Sequence, residues 1–481
     1  MSSLKTASLK IATLIIIAVI IIAGIAVYVM ISRPPAPTGI TLRVISRHPY
    51  EILNEAREEF LQSEAADKYG ITWVRWLPVD PGEWVDVIRT SAEKPGQEVD
   101  VAWGGGPTLF DFLAGEGLLA PLTSDAISAV EVEIPDEISG APLKRVDEEG
   151  HLIWIAAAIS SFGFTVNLGY LEDRGLPVPD EWTDLASEQY AITLPSPSVA
   201  VADSTKSTSN TRMYEIILQN YGWIDGWKII TLMGANSRVY DKSGLVRDAV
   251  IRGDVGAGIT IDFYGYTAQL ENPDLCMYVI PKDGSIVNGD PIALLSSSAH
   301  PEAAQAFIAW VLSAEGQKIW LDPLINRLPS NPKVFETPEG ANRPDLKQAY
   351  EKTLQSMVIE FSDEVASSYE YAMMWFYHAT IARAHDALQN AWSKLALAKL
   401  NGEITDEHFQ ELVNELTDPT MLSFDDPNIG PSTFTEEYAI SISDLIRTDV
   451  NYRNEMVGLW IQAAEERYAD VLQSLQALIG G

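Results

Sequence analysis

The run IWIAAAISSFGFTV, from Ile153 to Val166, sets the expected architecture of this chain. It contains no charged residue, and its β-branched and aromatic residues favour a strand. With 14 residues it exceeds the usual strand length of about 5–6 residues. The run therefore predicts a long buried strand, or a strand that crosses from one part of the molecule to another.

Strand-like and helix-like segments alternate on both sides of this run. Apolar strands that alternate with helices are typical of βαβ units, so the predicted fold class is α/β. From residue 335 to residue 481 the pattern becomes helical, and no convincing strand is found. The other predicted strands are 40–45, 71–76, 98–103, 191–194, 256–263, 276–280 and 291–295.

The N-terminal region contains an uncharged segment of 21 residues, Ile11 to Ile31. At about 1.5 Å per residue such a helix is long enough to cross the hydrocarbon core of a bilayer. A cleaved signal peptide is the alternative, but its apolar region is usually shorter. Lys5 and Lys10 predict a cytoplasmic N-terminus, which leaves residues 32–481 outside the cell membrane as a single-pass protein.

Charge excludes one class of partner. The chain has 67 acidic and 33 basic residues, a net charge of −34. Residues 1–39 hold three basic residues and no acidic residue, so the rest carries a net charge of −37. A surface this negative repels phosphate backbones, and we expect no binding to nucleic acid. The single cysteine, Cys276, excludes an intramolecular disulfide and a multi-cysteine metal site.

The sequence offers no catalytic motif. A phosphate-binding loop of the NTPase type, a zinc-binding H-E-x-x-H helix and a nucleophile elbow are all missing. His378 and His385 could share a helix face, but two histidines make at most half of a zinc site. We therefore expect no enzyme, no catalytic residue, no metal site and no cofactor, with a surface hydrolase as the least favoured alternative.

Three loops are suited to holding a small polar ligand, because each follows a predicted strand and ligands in α/β sheets bind at such ends. The first is rich in glycine and precedes a helix, the second is rich in hydroxyl groups and also precedes a helix, and the third is aromatic. Tight turns, helix capping and ordinary packing are the alternative explanations. The candidate residues in these loops are Trp103, Gly104, Gly105, Gly106, Ser207, Thr208, Ser209, Asp262 and Tyr264.

Six short motifs, in order over about residues 40–335, resemble the extracellular solute-binding proteins of ABC importers. The resemblance is to the branch that binds ferric iron, phosphonates and sugar phosphates. The motifs are Ser46-Arg47-His48, Glu98–Val101, Gly117–Leu122, Phe164–Asn167, Arg252–Val255 before Asp262–Tyr266, and His300–Ala304 with Leu312–Gln317.

This resemblance implies two α/β lobes of the type II periplasmic-binding-protein fold, joined by strands that cross twice, with ligand held between the lobes. It also implies a permease in the membrane as partner. The expected boundaries are an anchor at 1–31, a linker at 32–39, lobe 1 at 40–160 with 288–335, lobe 2 at 161–287, and a helical extension at 336–481.

The resemblance also suggests a ligand class. His48 and Asn236 join the candidate residues because they match positions of this branch. Phe263 replaces one tyrosine of the iron-binding members, which removes a hard oxygen donor and disfavours ferric iron. An organic anion such as a phosphonate, phosphorylated compound or carboxylate is expected. The alternative is a cationic solute, such as a polyamine or thiamine, with Asp262 or Asp100 as counter-charge.

The helical extension leaves two possibilities open. It could pack on the lobes as a structural cover, or it could dock a partner. In the second case the chain could be a cell-surface scaffold or assembly protein that reuses the solute-binding fold.

Overall fold

The computed structural model describes residues 39–79, 83–138, 140–355 and 359–480. The expected anchor at 1–31 and nearly all of the linker lie outside these ranges. Within the ranges, no helix is long and apolar enough to cross a membrane.

The strands of the described chain are β1 (Ile40–Ser46), β2 (Ile71–Pro78), β3 (Val101–Trp103), β4 (Leu119–Ala120), β5 (Glu137–Ile138), β6 (Ala141–Pro142), β7 (Lys144–Val146), β8 (Leu152–Asn167), β9 (Val199–Ala202), β10 (Ser237–Tyr240), β11 (Ala257–Ile261), β12 (Cys276–Val279), β13 (Val287–Leu295), β14 (Leu328–Pro329), β15 (Ser423–Asp426) and β16 (Gly430–Thr433).

The α-helices are α1 (Tyr50–Leu61), α2 (Glu64–Tyr69), α3 (Trp84–Ala92), α4 (Pro107–Gly115), α5 (Asp125–Glu131), α6 (Leu168–Arg174), α7 (Trp182–Leu185), α8 (Glu188–Ala191), α9 (Thr208–Tyr221), α10 (Trp223–Ala235), α11 (Ser243–Ile251), α12 (Asp262–Glu271), α13 (Pro301–Leu312), α14 (Pro338–Ala341), α15 (Pro344–Thr353), α16 (Asp363–Tyr377), α17 (His385–Leu400), α18 (Asp406–Thr417), α19 (Glu436–Thr448) and α20 (Val450–Gly480).

Strand β8 spans 16 residues, all of them buried, and belongs to two halves of one sheet. Residues up to Ser161 pair antiparallel with β13, whereas Phe162 to Val166 pair antiparallel with β11. The strand order is β10-β9-β11-β8-β13-β3-β1-β2. We use lobe 1 for the half on the β13 side of β8 and lobe 2 for the half on the β11 side. The crossing strand expected from the sequence is thus present.

The parallel strands of each lobe bring loops to a common edge. β1 is parallel to both β2 and β3 in lobe 1, and β9 is parallel to both β10 and β11 in lobe 2. Parallel strands end at the same side of a sheet, which is where ligands bind in α/β folds.

One predicted strand, 191–194, is wrong. Helix α8 ends at Ala191, and the backbone then turns into the cis peptide bond between Leu194 and Pro195. The strand at this place is β9, whose four residues Val-Ala-Val-Ala are fully buried between β10 and β11. Small and β-branched residues fit that position because the strand is covered on both faces.

The extension begins on lobe 1 and continues on lobe 2. Leu346 and Tyr350 of α15 are buried in the lobe 1 core. Helices α16 to α20 instead share a single apolar core with lobe 2, in which Trp227 packs edge-on against Phe376 at 5.1 Å between ring centroids. Of the two open possibilities, the described residues show the extension packed on the lobes.

The extension also contains a strand pair that the sequence did not predict. β15 and β16 pair antiparallel around a turn. The carboxylate of Asp426 accepts hydrogen bonds from the N–H groups of Asn428 and Ile429, which closes that turn. It also accepts from the Tyr452 hydroxyl at 2.6 Å, which ties the hairpin to α20.

Lobe 2 and the extension approach closely at Gly234 in α10. A Cβ atom at this position would lie 2.5 Å from Cγ2 of Ile381, a β-branched side chain that is stiff at χ1. Helix glycines usually reduce stability relative to alanine by about 1 kcal/mol. Here the close contact explains why the chain has glycine.

We therefore predict opposite effects for two glycine-to-alanine substitutions. G234A should lower the free energy of unfolding by about 1–3 kcal/mol, because the added methyl overpacks the interface. G458A, at an exposed α20 position with nothing within 4 Å of the added atom, should raise it by up to about 1 kcal/mol. Urea denaturation measures both, and stabilisation by G234A would contradict the contact.

Candidate functional site

The hydroxyl-rich loop of lobe 2 lies where two helices begin. Ser207 caps α9 by accepting a hydrogen bond from the Asn210 N–H, and Ser243 is the first residue of α11. The Ser243 Oγ lies 2.6 Å from that of Ser209 and is also hydrogen-bonded to that of Ser207. Both helix N-termini present N–H groups and the positive end of a helix dipole, so this hydroxyl cluster (Ser207, Ser209 and Ser243) favours an anion.

Lobe 1 reaches this cluster through Arg47, which follows β1. Its guanidinium Nη2 lies 3.5 Å from Oγ1 of Thr208, the first residue of α9. Arg47 and Thr208 are both exposed. A planar guanidinium that faces a helix N-terminus across the cleft between the lobes can bind a carboxylate or phosphate with two parallel hydrogen bonds.

Tyr264 lies beside the same cluster. The structure begins α12 at Asp262, so Tyr264 lies in the first turn of a helix and not at the end of a strand, as the sequence suggested. The guanidinium of Arg247 from α11 stands 4.9 Å from the centroid of its ring. This second arginine pairs with Asp248 at 2.7 Å, so the two residues add no net charge to the lobe 2 side.

His48 belongs to a buried charge cluster at the base of the cleft. Its Nε2 lies 3.5 Å from Oδ2 of Asp290, a residue of the crossing strand β13, and the same oxygen lies 2.7 Å from Nη1 of Arg327. Arg327 also donates to the Ser160 hydroxyl of β8 at 2.9 Å. These contacts join both crossing strands to the loop that carries His48.

Burial and charge act in opposite directions here. Burial lowers the pKa of His48 to about 4, although Asp290 opposes the shift. Burial also raises the pKa of Asp290, but Arg327 and His48 outweigh it and hold that pKa below its ordinary value. At neutral pH the cluster is therefore a neutral imidazole between a carboxylate and a guanidinium.

The glycine-rich loop contacts this cluster. The Gly105 N–H donates to the Asp290 carboxylate at 2.8 Å, and the Gly104 N–H donates to the Pro291 carbonyl at 2.8 Å. Gly104 has a φ of 85°, and a Cβ there would lie 2.8 Å from the Nε2 atom of His48. The predicted anion-binding loop is thus present, but an internal carboxylate takes the hydrogen bond of Gly105. Gly106 ends the loop as the residue before α4.

Trp103 packs against the His48 ring of this cluster. It is fully buried in the lobe 1 core, and its ring meets the His48 ring edge-on with centroids 4.7 Å apart. It thus positions the histidine by packing.

Asp262 is another internal carboxylate. It is fully buried, and it accepts hydrogen bonds from the Ser161 N–H at 2.8 Å and the Phe263 N–H at 2.7 Å. Burial raises its pKa to about 7, opposed by Arg327 and these N–H groups. Asp262 therefore links β8 to α12, and its oxygens already have partners.

Asn236 lies away from the hydroxyl cluster. Its side-chain amide donates to the carbonyls of Leu185 and Ser187 at 3.0 Å and accepts from the Trp392 indole at 2.7 Å. It precedes β10, at the strand's amino end, whereas Ser243 follows the strand's carboxyl end. A residue before a parallel strand lies at the edge opposite to the residues after it, so the structure separates Asn236 from the other candidates.

Asp100, the other expected counter-charge for a cation, is likewise engaged. It is buried at the start of β3, and its carboxylate accepts from the Arg43 N–H at 2.9 Å and the Ser298 hydroxyl at 2.7 Å.

Sequence reasoning missed five residues of this region. Two of them had a detectable signal: Ser243 starts a helix directly after a strand, and Asp290 is the acidic residue of an otherwise uncharged buried strand. Arg327 had none, because only folding brings it to Asp290. The missed residues are Arg47, Ser243, Arg247, Asp290 and Arg327.

The pKa of His48 leads to a pH prediction. Below its ordinary value of 6.5 the unfolded chain takes up the proton while the native state resists it down to about 4, so native stability falls as pH falls through this window. Between about pH 7.5 and about pH 5, wild type should lose about 2 kcal/mol more than H48Q, whose side chain does not titrate.

Urea denaturation at the two pH values measures this difference. H151Q, at an exposed histidine that pairs with Asp147, is the matched control and should follow wild type. Equal pH dependence in H48Q and wild type would contradict a histidine held neutral by burial.

Comparison with known proteins identifies the family. A family model described as bacterial extracellular solute-binding protein matches residues 58–348, more than half of the chain. The phosphoglycerate transport regulatory protein PgtC of Salmonella typhimurium is 30% identical over 280 residues, which are 58% of this chain and 64% of that protein. The Fe(3+)-binding periplasmic protein of Serratia marcescens is 27% identical, covering 49% of this chain and 71% of the relative.

The fold has solved counterparts. The substrate-binding protein PotD of a spermidine/putrescine ABC transporter from Streptococcus pneumoniae superimposes with a TM-score of 0.50, covering 70% of this chain and 99% of that chain at 16% identity. Such low identity shows the shared two-lobed fold alone. The family match over residues 58–348 shows that this chain belongs to the bacterial extracellular solute-binding proteins.

Proposed function

We propose that this chain is the membrane-anchored receptor of an ABC importer for a small organic anion, which it captures between its lobes. The anchor is residues 11–31, and the captured solute passes to the permease. One observation carries the anion assignment: two helix N-termini and three serine hydroxyls converge on one side of the cleft, and Arg47 reaches them from the other.

The position of these groups suits capture by closure. The hydroxyl cluster belongs to lobe 2 and Arg47 to lobe 1, so an anion bound by both would hold the lobes together. The lobes are joined at β8 and β13, and a hinge at such crossing strands allows closure around a ligand. The global charge of −37 outside the N-terminal region opposes anion binding, but salt screens distant charges more strongly than adjacent ones.

The two carboxylates considered as counter-charges for a cation are engaged within the chain, which supports an anion over a cation. These two residues, Asp100 and Asp262, accept hydrogen bonds from their own chain and are buried. The relative PgtC, whose name refers to phosphoglycerate transport, supports a ligand that carries phosphate, carboxylate or both.

A ligand panel tests the assignment. The full chain is heated with 3-phosphoglycerate, a phosphonate, a dicarboxylate, spermidine or ferric iron, each in separate samples. A ligand at about 100 times its dissociation constant stabilises the native state by about 2.7 kcal/mol, which is readily seen as a rise in melting temperature. We expect a rise with one of the anions, and a rise with spermidine or iron alone would overturn the anion assignment.

Two substitutions test the site itself. R47Q and S243A should each lower, by about 5- to 100-fold, the affinity for the anion that raised the melting temperature. Each substitution removes a polar partner worth about 1–3 kcal/mol. Isothermal titration measures the affinity. R447Q and S441A, at exposed positions of α19, are the matched controls and should bind like wild type. Unchanged affinity in both site variants would place the ligand elsewhere.

A further inference from the structure

Lobe 2 and the extension together line an open cavity of about 460 Å³. Its walls include Arg238 from β10 and Arg383 from the extension, together with His385 and Gln389 of α17. The volume falls within the range of small-molecule sites, about 300–1,000 Å³. Arg238 lies near the amino end of β10, whereas the hydroxyl cluster lies beyond its carboxyl end, so the cavity is distinct from the cleft between the lobes.

Within the described ranges the two arginines of this cavity have no ion-pair partner. Their side chains are exposed, and over those same ranges neither guanidinium makes a hydrogen bond. Some other arginines of this acidic chain are paired, as Arg145 is with Asp111 at 2.6 Å and Arg252 with Asp254 at 2.9 Å. Two exposed guanidiniums that line one cavity can both form charged hydrogen bonds with an anion that enters it.

The neighbouring charges leave the cavity with a net positive wall. Asp386 is the acidic residue among the lining residues, against two arginines. Burial lowers the pKa of His385, so its imidazole is neutral at neutral pH and the positive charge belongs to the arginines.

The cavity wall is held in place by lobe 2. The Gln389 side chain donates to the carbonyls of Ala235 and Ser237 at 3.0 Å, and the His385 Nε2 lies 3.2 Å from the Gly234 carbonyl. These contacts engage the carbonyls of the last two residues of α10 and of the first residue of β10, and they fix α17 against both elements. The wall is therefore built before any ligand arrives.

Arg383 lies at the end of a short π-helix. The segment His378–Arg383 between α16 and α17 is a π-helix, a rare conformation that is often found at functional sites. The Thr380 carbonyl in this segment accepts a hydrogen bond from the Tyr468 hydroxyl at 2.9 Å, which holds the wider turn against α20. Arg383 is the last residue of the π-helix and so lies where the chain enters α17.

We infer that this cavity binds a small molecule that carries an oxyanion group, phosphate or carboxylate, between Arg238 and Arg383. Guanidinium groups recognise both through paired charged hydrogen bonds. Because one arginine belongs to lobe 2 and the other to the extension, such a ligand also ties the extension to the lobe. The site is independent of the solute site in the cleft.

Arginine modification with phenylglyoxal, followed residue by residue by mass spectrometry, tests this inference on the full chain. Inorganic phosphate is the probe, and sodium chloride keeps the ionic strength constant. We expect phosphate to slow the modification of both Arg238 and Arg383. The phosphate concentration that gives half-maximal protection should be the same for the two residues. Arg447, an exposed arginine of the extension that pairs with Asp444, is the control and should not be protected.

Variants complete the test. In R383Q the phosphate concentration that protects Arg238 should rise about tenfold or more, and R238Q should have the same effect on Arg383, as expected for loss of a charged hydrogen-bond partner. R47Q, in the cleft, should leave both values unchanged. Protection no greater than at Arg447, or protection of one arginine that persists when the other is replaced, would overturn the proposed site.

Discussion

The structure depends on the burial of β8 along all 16 of its residues. A strand this long cannot fit within one lobe, so its first part pairs with β13 and its last part with β11. Every backbone group in it needs a partner because water does not reach it. The change of partner after Ser161 divides the sheet into two lobes. The lobes stay connected, because β8 is one continuous strand that is hydrogen-bonded to both of them.

Charged groups collect where this change occurs. Asp290 and Asp262 are both buried next to β8, and Arg327 opposes the rise that burial causes in the pKa of each carboxyl. A buried carboxylate without a positive partner would cost far more than a paired one. Arg327 therefore belongs to the junction as much as the strands do, and its replacement would affect the solute site through the hinge and not through contact with solute.

The extension makes the two lobes unequal. It contributes a few residues to the lobe 1 core but forms one continuous apolar core with lobe 2, in which Phe376 stacks on Phe434 with 3.7 Å between centroids. The Tyr377 hydroxyl from the extension lies 2.8 Å from that of Tyr214 in α9, the helix that begins at the hydroxyl cluster. Lobe 2 and the extension thus support the proposed solute site as a single packed unit.

The sequence by itself determined the alternation of strands and helices, the long crossing strand and the hydroxyl cluster at Ser207–Ser209, because these follow from periodicity and local capping. It could not place Asn236, because the edge of the sheet at which this residue lies depends on the direction of β10. It also could not identify β9, because a short apolar run does not distinguish a strand from a buried helix segment. Only the tertiary structure decided that Asp290 accepts a hydrogen bond from the glycine-rich loop. It also decided that Arg327 pairs with Asp290 and that Arg47 contacts Thr208. Those pairings join residues far apart in the chain, and charge partners at such separations leave no local pattern.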